Sequence, residues 1–95
     1  MKFYELPCYD RQSFQGRAHV IENDDGTRTL ASYNTLICRF NPYTHELEKL
    51  DPTATNTTRR HISAFLRFCG IPDIRGRKWD SLPLHTAVDT REVCA

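Results

Sequence analysis

A chain of 95 residues with 39% hydrophobic and 26% charged residues has the balance of one small folded domain, with room for a modest core and little room for a deep catalytic pocket. A formal net charge of +1 excludes a polycation that would hold nucleic acid by bulk charge alone.

In chain order, residues 1–16 contain aromatics and Pro7 without a steady period, and Gly16 marks a bend or bulge. RAHVIE (17–22) reads as a strand, with Ala18 and Val20 on one face and His19 and Ile21 on the other. NDDG (23–26) is a hairpin turn, because Asp-Gly tolerates the positive φ that tight turns need. TRTLASY (27–33) returns antiparallel, and TLICRF (35–40) follows with Leu36, Cys38 and Phe40 alternating. Only Asn34 separates these runs, so either one bent, bulged strand or a very tight turn lies there. The bent strand is the expectation. NPYT (41–44) is a second turn, HELEKL (45–50) a short third strand, and DPTAT (51–55) a loop.

TNTTRRHISAFLRFCGI (55–71) carries the clearest pattern. At about 100° per residue, Ile62, Phe65, Leu66 and Cys69 share a stripe with Thr58 beside it. Asn56, Arg59, Arg60, Ser63 and Arg67 take the other side. Thr55 or Asn56 can cap the start, Gly70 can close the end in the left-handed conformation, and Pro72 prevents continuation. This predicts a helix over 56–69. The stretch 71–84 is irregular, with Trp79, Leu82 and Leu84 packing back. Residues 85–95 have little to anchor them and read as a loose tail. The expected fold is α+β: one domain over 1–84, with a small antiparallel sheet of about three strands and one amphipathic helix across one face.

Charge is uneven. From Arg59 to Lys78 stand Arg59, Arg60, Arg67, Arg75, Arg77 and Lys78 against Asp73. The opening Met1-Lys2-Phe3-Tyr4-Glu5 has no apolar run, and nothing approaches a membrane span, so a cytoplasmic location without membrane contact is expected. Cys8, Cys38, Cys69 and Cys94 then read as free thiols, with Cys38 and Cys69 as small core residues. The four histidines (19, 45, 61, 85) and four cysteines lack the paired spacing of a metal site, so no metal or cofactor is expected. No nucleophile elbow, phosphate loop or paired-carboxylate signature occurs, and a non-enzymatic role is expected.

The arginine side of the helix is the candidate site. Arg60 and Arg67 lie two turns apart with Ser63 between them and Arg59 alongside. Such a strip can follow phosphates, and Asn56 or Arg59 can reach a base edge. Arg75, Arg77 and Lys78 extend the patch. A solvated face usually mixes signs, whereas this one lacks acids. Tyr4, Tyr9, Phe14, Tyr33 and Tyr43 are scattered and suit core or rim packing more than base stacking.

Three stretches, SFQGRAHVIENDDGTRTLASYNTLICRF, TNTTRRHISAFLRFCGI and KWDSLP, carry a resemblance over residues 13–83. Ser32-Tyr33-Asn34-Thr35, Thr57-Thr58-Arg59-Arg60-His61, Phe65-Leu66 and Trp79-Asp80-Ser81-Leu82-Pro83 resemble the SYxT, TTxRH, FL and W-x-SLP pattern of a family of short uncharacterised proteins. That family is found on phages and conjugative elements of gut Firmicutes. The resemblance implies a mobile-element context and brings no agreed activity; RGRK (75–78) and the tail after Leu84 depart from it. In the shared part, His61 can bond the hydroxyl of Tyr33 or Thr35 across the sheet–helix junction.

The sequence therefore reads as a mobile-element accessory protein binding nucleic acid through the basic helix face. The alternative is an anti-CRISPR-like inhibitor that occludes a host defence enzyme, with ENDD (22–25) and HELE (45–48) as its acidic surface. A homodimer through an exposed strand edge fits either reading.

Overall fold

The computed structural model describes residues 1–9, 13–52 and 55–94. Parts of two expected segments, 10–12 of the N-terminal stretch and 53–54 of the loop before the helix, lie outside the described residues, as does Ala95. The fold is α+β. Its strands are β1 (Lys2–Glu5), β2 (Ala18–Glu22), β3 (Arg28–Ser32), β4 (Thr35–Asn41) and β5 (Glu46–Lys49); α1 (Asn56–Phe68) and α2 (Gly76–Asp80) come next, then β6 (Ala87–Asp89) and α3 (Thr90–Val93). The strands form one antiparallel sheet in chain order.

The sheet is twice the expected three strands: one strand is added at each end, and the expected bent strand is two strands, β3 and β4. β1 pairs Phe3 with Ile21 and Tyr4 with Val20, so the patternless N-terminus takes its conformation from β2. β6 pairs Val88 with Leu47. Beyond Leu84, where the sequence offers no anchor, distant backbone supplies one. His85 N–H donates to Lys49 O at 2.8 Å, and both N–H and Oγ1 of Thr90 donate to His45 O at 2.9 and 2.8 Å.

The NDDG turn forms as its residues dictate. Gly26 has φ +89°, a left-handed conformation that favours glycine, and it lets the exposed Tyr43 ring lie against the turn, 2.6 Å from where a Cβ would stand. The expected bent strand across Asn34 does not form. β3 and β4 are separate strands, Ser32 faces Thr35, and Tyr33-Asn34 makes the tight turn between them. Tyr33 adopts φ +55°, unusual for a bulky residue, and its N–H is held by Arg17 O at 2.7 Å. The bulge exists one strand later than expected. Leu30 faces Cys38 while Ala31 faces Leu36, which leaves Ile37 as the extra residue. The bulge breaks the alternation: Cys38 and Phe40 are buried with Ile37, and Leu36 is half exposed. The Ile37 carbonyl accepts from Leu50 N–H at 2.8 Å and Asp51 N–H at 3.3 Å, so the bulge holds the exit of β5.

α1 fits its sequence closely. Thr55 Oγ1 accepts from Thr58 N–H at 3.2 Å as the cap. At the other end Ile71 N–H reaches Leu66 O and Gly70 N–H reaches Arg67 O, both at 3.0 Å, with Gly70 at φ +78°. The helix packs chiefly on β3. Ile62, Phe65 and Leu66 meet Ala18, Val20, Leu30, Cys38, Phe40 and Leu47 in one core, completed by Leu6, Phe14, Ile71, Ile74 and Trp79. Of the residues expected to pack back, Trp79 is fully buried, Leu82 lies partly buried against the core, and Leu84 is exposed.

Candidate nucleic-acid interface

The outward side of α1 forms one wall of a cleft of about 840 Å³. The N-terminal segment (Cys8, Tyr9, Phe14) and the stretch from Gly70 to Trp79 line the rest. Six of the eight candidate residues line it: Asn56, Arg59, Arg60, Ser63, Arg67 and Arg75. Arg77 and Lys78, on α2, are not part of the lining, and Lys78 Nζ instead donates to Val93 O of α3 at 3.4 Å.

The arginines are held in two ways. Arg59 makes a forked pair with Asp80 at 2.9 and 3.1 Å, and Arg75 Nε meets Asp73 at 2.6 Å. Ser63 Oγ donates to the same Asp73 at 3.0 Å, so the serine orients the acid that positions Arg75. Arg60 and Arg67 lie over the rings of Phe14 and Tyr9, with 5.3 and 4.4 Å to the centroids. A ring face orients a guanidinium by cation–π attraction. Asp80 and Asp73 thus hold Arg59 and Arg75, and aromatic rings support Arg60 and Arg67.

Sequence reasoning took Tyr9 and Phe14 as packing residues and Trp79 as core. All three also line the cleft, a role that depends on residues far apart in the chain. The acidic stretches are engaged locally. Glu22 accepts from Tyr4 Oη at 2.8 Å, Asp24 pairs with the N-terminal ammonium at 2.6 Å, and Glu48 pairs with Arg39. Asp25 accepts from the Thr27 hydroxyl and N–H, which lowers its carboxyl below the ordinary 3.8.

His61 stands behind the cleft. Its Nδ1 lies 2.7 Å from Ser32 Oγ, and Phe14 meets it edge-on at 4.7 Å. The partner is therefore Ser32, not the expected Tyr33 or Thr35. Both Tyr33 and Thr35 are exposed, whereas Ser32 faces inward from the end of β3. Burial lowers the His61 pKa from its ordinary 6.5, with Arg60 and Arg17 adding repulsion. The unfolded chain then binds this proton more readily than the folded one, so stability is fullest above about pH 6.5 and falls as pH drops below it. Denaturation midpoints between about pH 7.5 and 5.5 should fall for the native chain and flatten for His61→Gln. Asp25 titrates well below that window. An equal slope in both proteins would contradict the assignment.

Burial pushes the Cys69 thiol up to about 11 and the Cys38 thiol well above its ordinary value, so both stay protonated, as small packing groups do. Among the described residues, no group of three or more His, Cys, Asp or Glu side chains could hold a metal ion, and no helix is long and apolar enough to cross a membrane.

A family model covers residues 4–81, from β1 through the Arg59–Asp80 pair and the whole lining of the cleft. The chain belongs to DUF8033. This is a family of unknown function. No curated protein and no solved structure matches the chain. The matched span of the DUF8033 chain stops short of β6 and α3, so the last sheet strand and its helix stand outside the part that defines the family.

Proposed function

We propose that this DUF8033 chain is a non-enzymatic, cytoplasmic accessory protein of a mobile element that binds nucleic acid through the arginine face of α1. The observation that carries the reading is the gathering of Arg59, Arg60, Arg67 and Arg75 around one cleft whose lining, among the described residues, holds one carboxylate, Asp73, with Asp80 paired to Arg59 from outside the lining. Phosphates would lie on these guanidiniums, which suit phosphate because their planar donors match its oxygens. Asn56, exposed at the first turn of α1, would read a base edge. The mobile-element context is supported by the resemblance of the 32–35, 57–61 and 79–83 motifs.

The test is binding to labelled DNA and RNA across a salt series, beside Arg60→Glu/Arg67→Glu. Log affinity should fall linearly with log salt, and the double variant should reduce that slope by about two, with weakening of at least about tenfold at low salt. A melting curve on the variant controls for folding, since both arginines also pack on rings. Absence of binding at roughly 50 mM salt would overturn the reading and direct attention to a protein partner, where an inhibitor would act.

A further inference from the structure

The concavity of the arginine site bears on which nucleic acid it takes. A volume of about 840 Å³ is that of a small-molecule site, too small to admit a duplex and large enough for a base or two. Its lining is divided by depth. Ile62, Ala64, Ile74 and Trp79 are buried, at 2, 8, 3 and 1% exposure, while Arg60, Arg67 and Arg75 are exposed. An apolar floor beneath a cationic rim matches a flat ring that carries a phosphate. Tyr9, 43% exposed beside the opening with Arg67 4.4 Å over its ring, forms with that guanidinium a planar pair on which a base can stack.

Building on the nucleic-acid reading above, we propose that the cleft takes an unpaired nucleobase while the rim arginines hold its flanking phosphates, so that the chain selects single strands over duplex. A duplex keeps its bases stacked inside and would meet only the rim.

The test compares an oligothymidylate of about 15 nucleotides, a duplex of equal length and thymidine 5′-monophosphate at matched salt. Trp79 is the single tryptophan, so its emission reports on the cleft directly. Ser63→Phe fills the cleft from the half-buried wall of α1, keeping Arg59, Arg60 and Arg67 in place and loosening Arg75 through Asp73; Tyr9→Ala removes the stacking face together with the ring under Arg67, and serves if Ser63→Phe melts early. The single strand should bind at least about tenfold tighter than duplex and change Trp79 emission. Either variant should lose most of that preference, lowering single-strand affinity at least about fivefold more than duplex affinity. Equal binding of both strands, unaffected by Ser63→Phe and Tyr9→Ala, would overturn the inference and leave the arginine face as an open phosphate track. Full competition by the mononucleotide at the strand's own concentration would overturn strand selection in favour of a free nucleotide. No binding of strand or duplex at low salt would overturn the underlying reading as well.

Discussion

Replacing His61 with alanine should destabilise the fold by about 3 kcal/mol, which for a domain of this size lowers the melting temperature by about 15 °C. Three effects act together. The imidazole is 1% exposed, so its removal leaves a void between α1 and β3 where Phe14 now meets the ring edge. Its Nδ1 is the partner of Ser32 Oγ at 2.7 Å, and Ser32 is itself 2% exposed, so the hydroxyl would be stranded away from water. Burial holds the ring neutral, which suits a buried hydrogen bond. A double-mutant cycle with Ser32→Ala separates these contributions. Ser32→Ala alone should cost about 1 kcal/mol, and the coupling should be of similar size. Unchanged melting of His61→Ala would remove the junction from any account of stability.

Lys49→Met should cost about 2 kcal/mol and loosen the floor of the cleft. Lys49 is 5% exposed, and its ammonium donates to the carbonyls of Trp79, Asp80 and Leu82 at 3.1, 3.4 and 3.4 Å while lying 5.8 Å from the Trp79 ring centroid. Two effects oppose. Methionine relieves the cost of burying a charge, and it takes the ammonium donor from the carbonyls of Asp80 and Leu82, whereas Trp79 O keeps the Leu82 N–H at 3.1 Å. The second should win, because methionine keeps the stem's packing but offers no donor. The same variant should shift Trp79 emission toward that of a solvated indole and weaken single-strand binding, since Trp79 forms the cleft floor. Retained stability together with unchanged emission would show that the carbonyls find water at no cost.

Some of this was legible because the forces are local. α1 is set by a stripe of four apolar positions, a threonine cap and a glycine close, all within 17 residues, and each forms as the sequence states. The inward pair Ala18 and Val20 follows from period two, and the NDDG turn from its own residues. Lys49 left a faint signal: it shares a face with Leu47, so a strand there puts a lysine inward. Nothing nearby named its acceptors, which stand some 30 residues later.

By itself, then, the sequence determined the helix, the first hairpin and the clustering of basic residues on one face, because helical period, capping and turn geometry are satisfied within a few neighbours. Tertiary structure alone decided the rest. Tyr33 enters a strained turn because Arg17 O holds its N–H, and Ile37 bulges where Leu50 and Asp51 take its carbonyl. β1 and β6 become strands because β2 and β5 present open edges. The cleft exists only where Cys8, Tyr9 and Phe14 and the stretch from Gly70 to Trp79 close on α1. Strand pairing and concavity are relations between distant segments, and a local pattern cannot encode them.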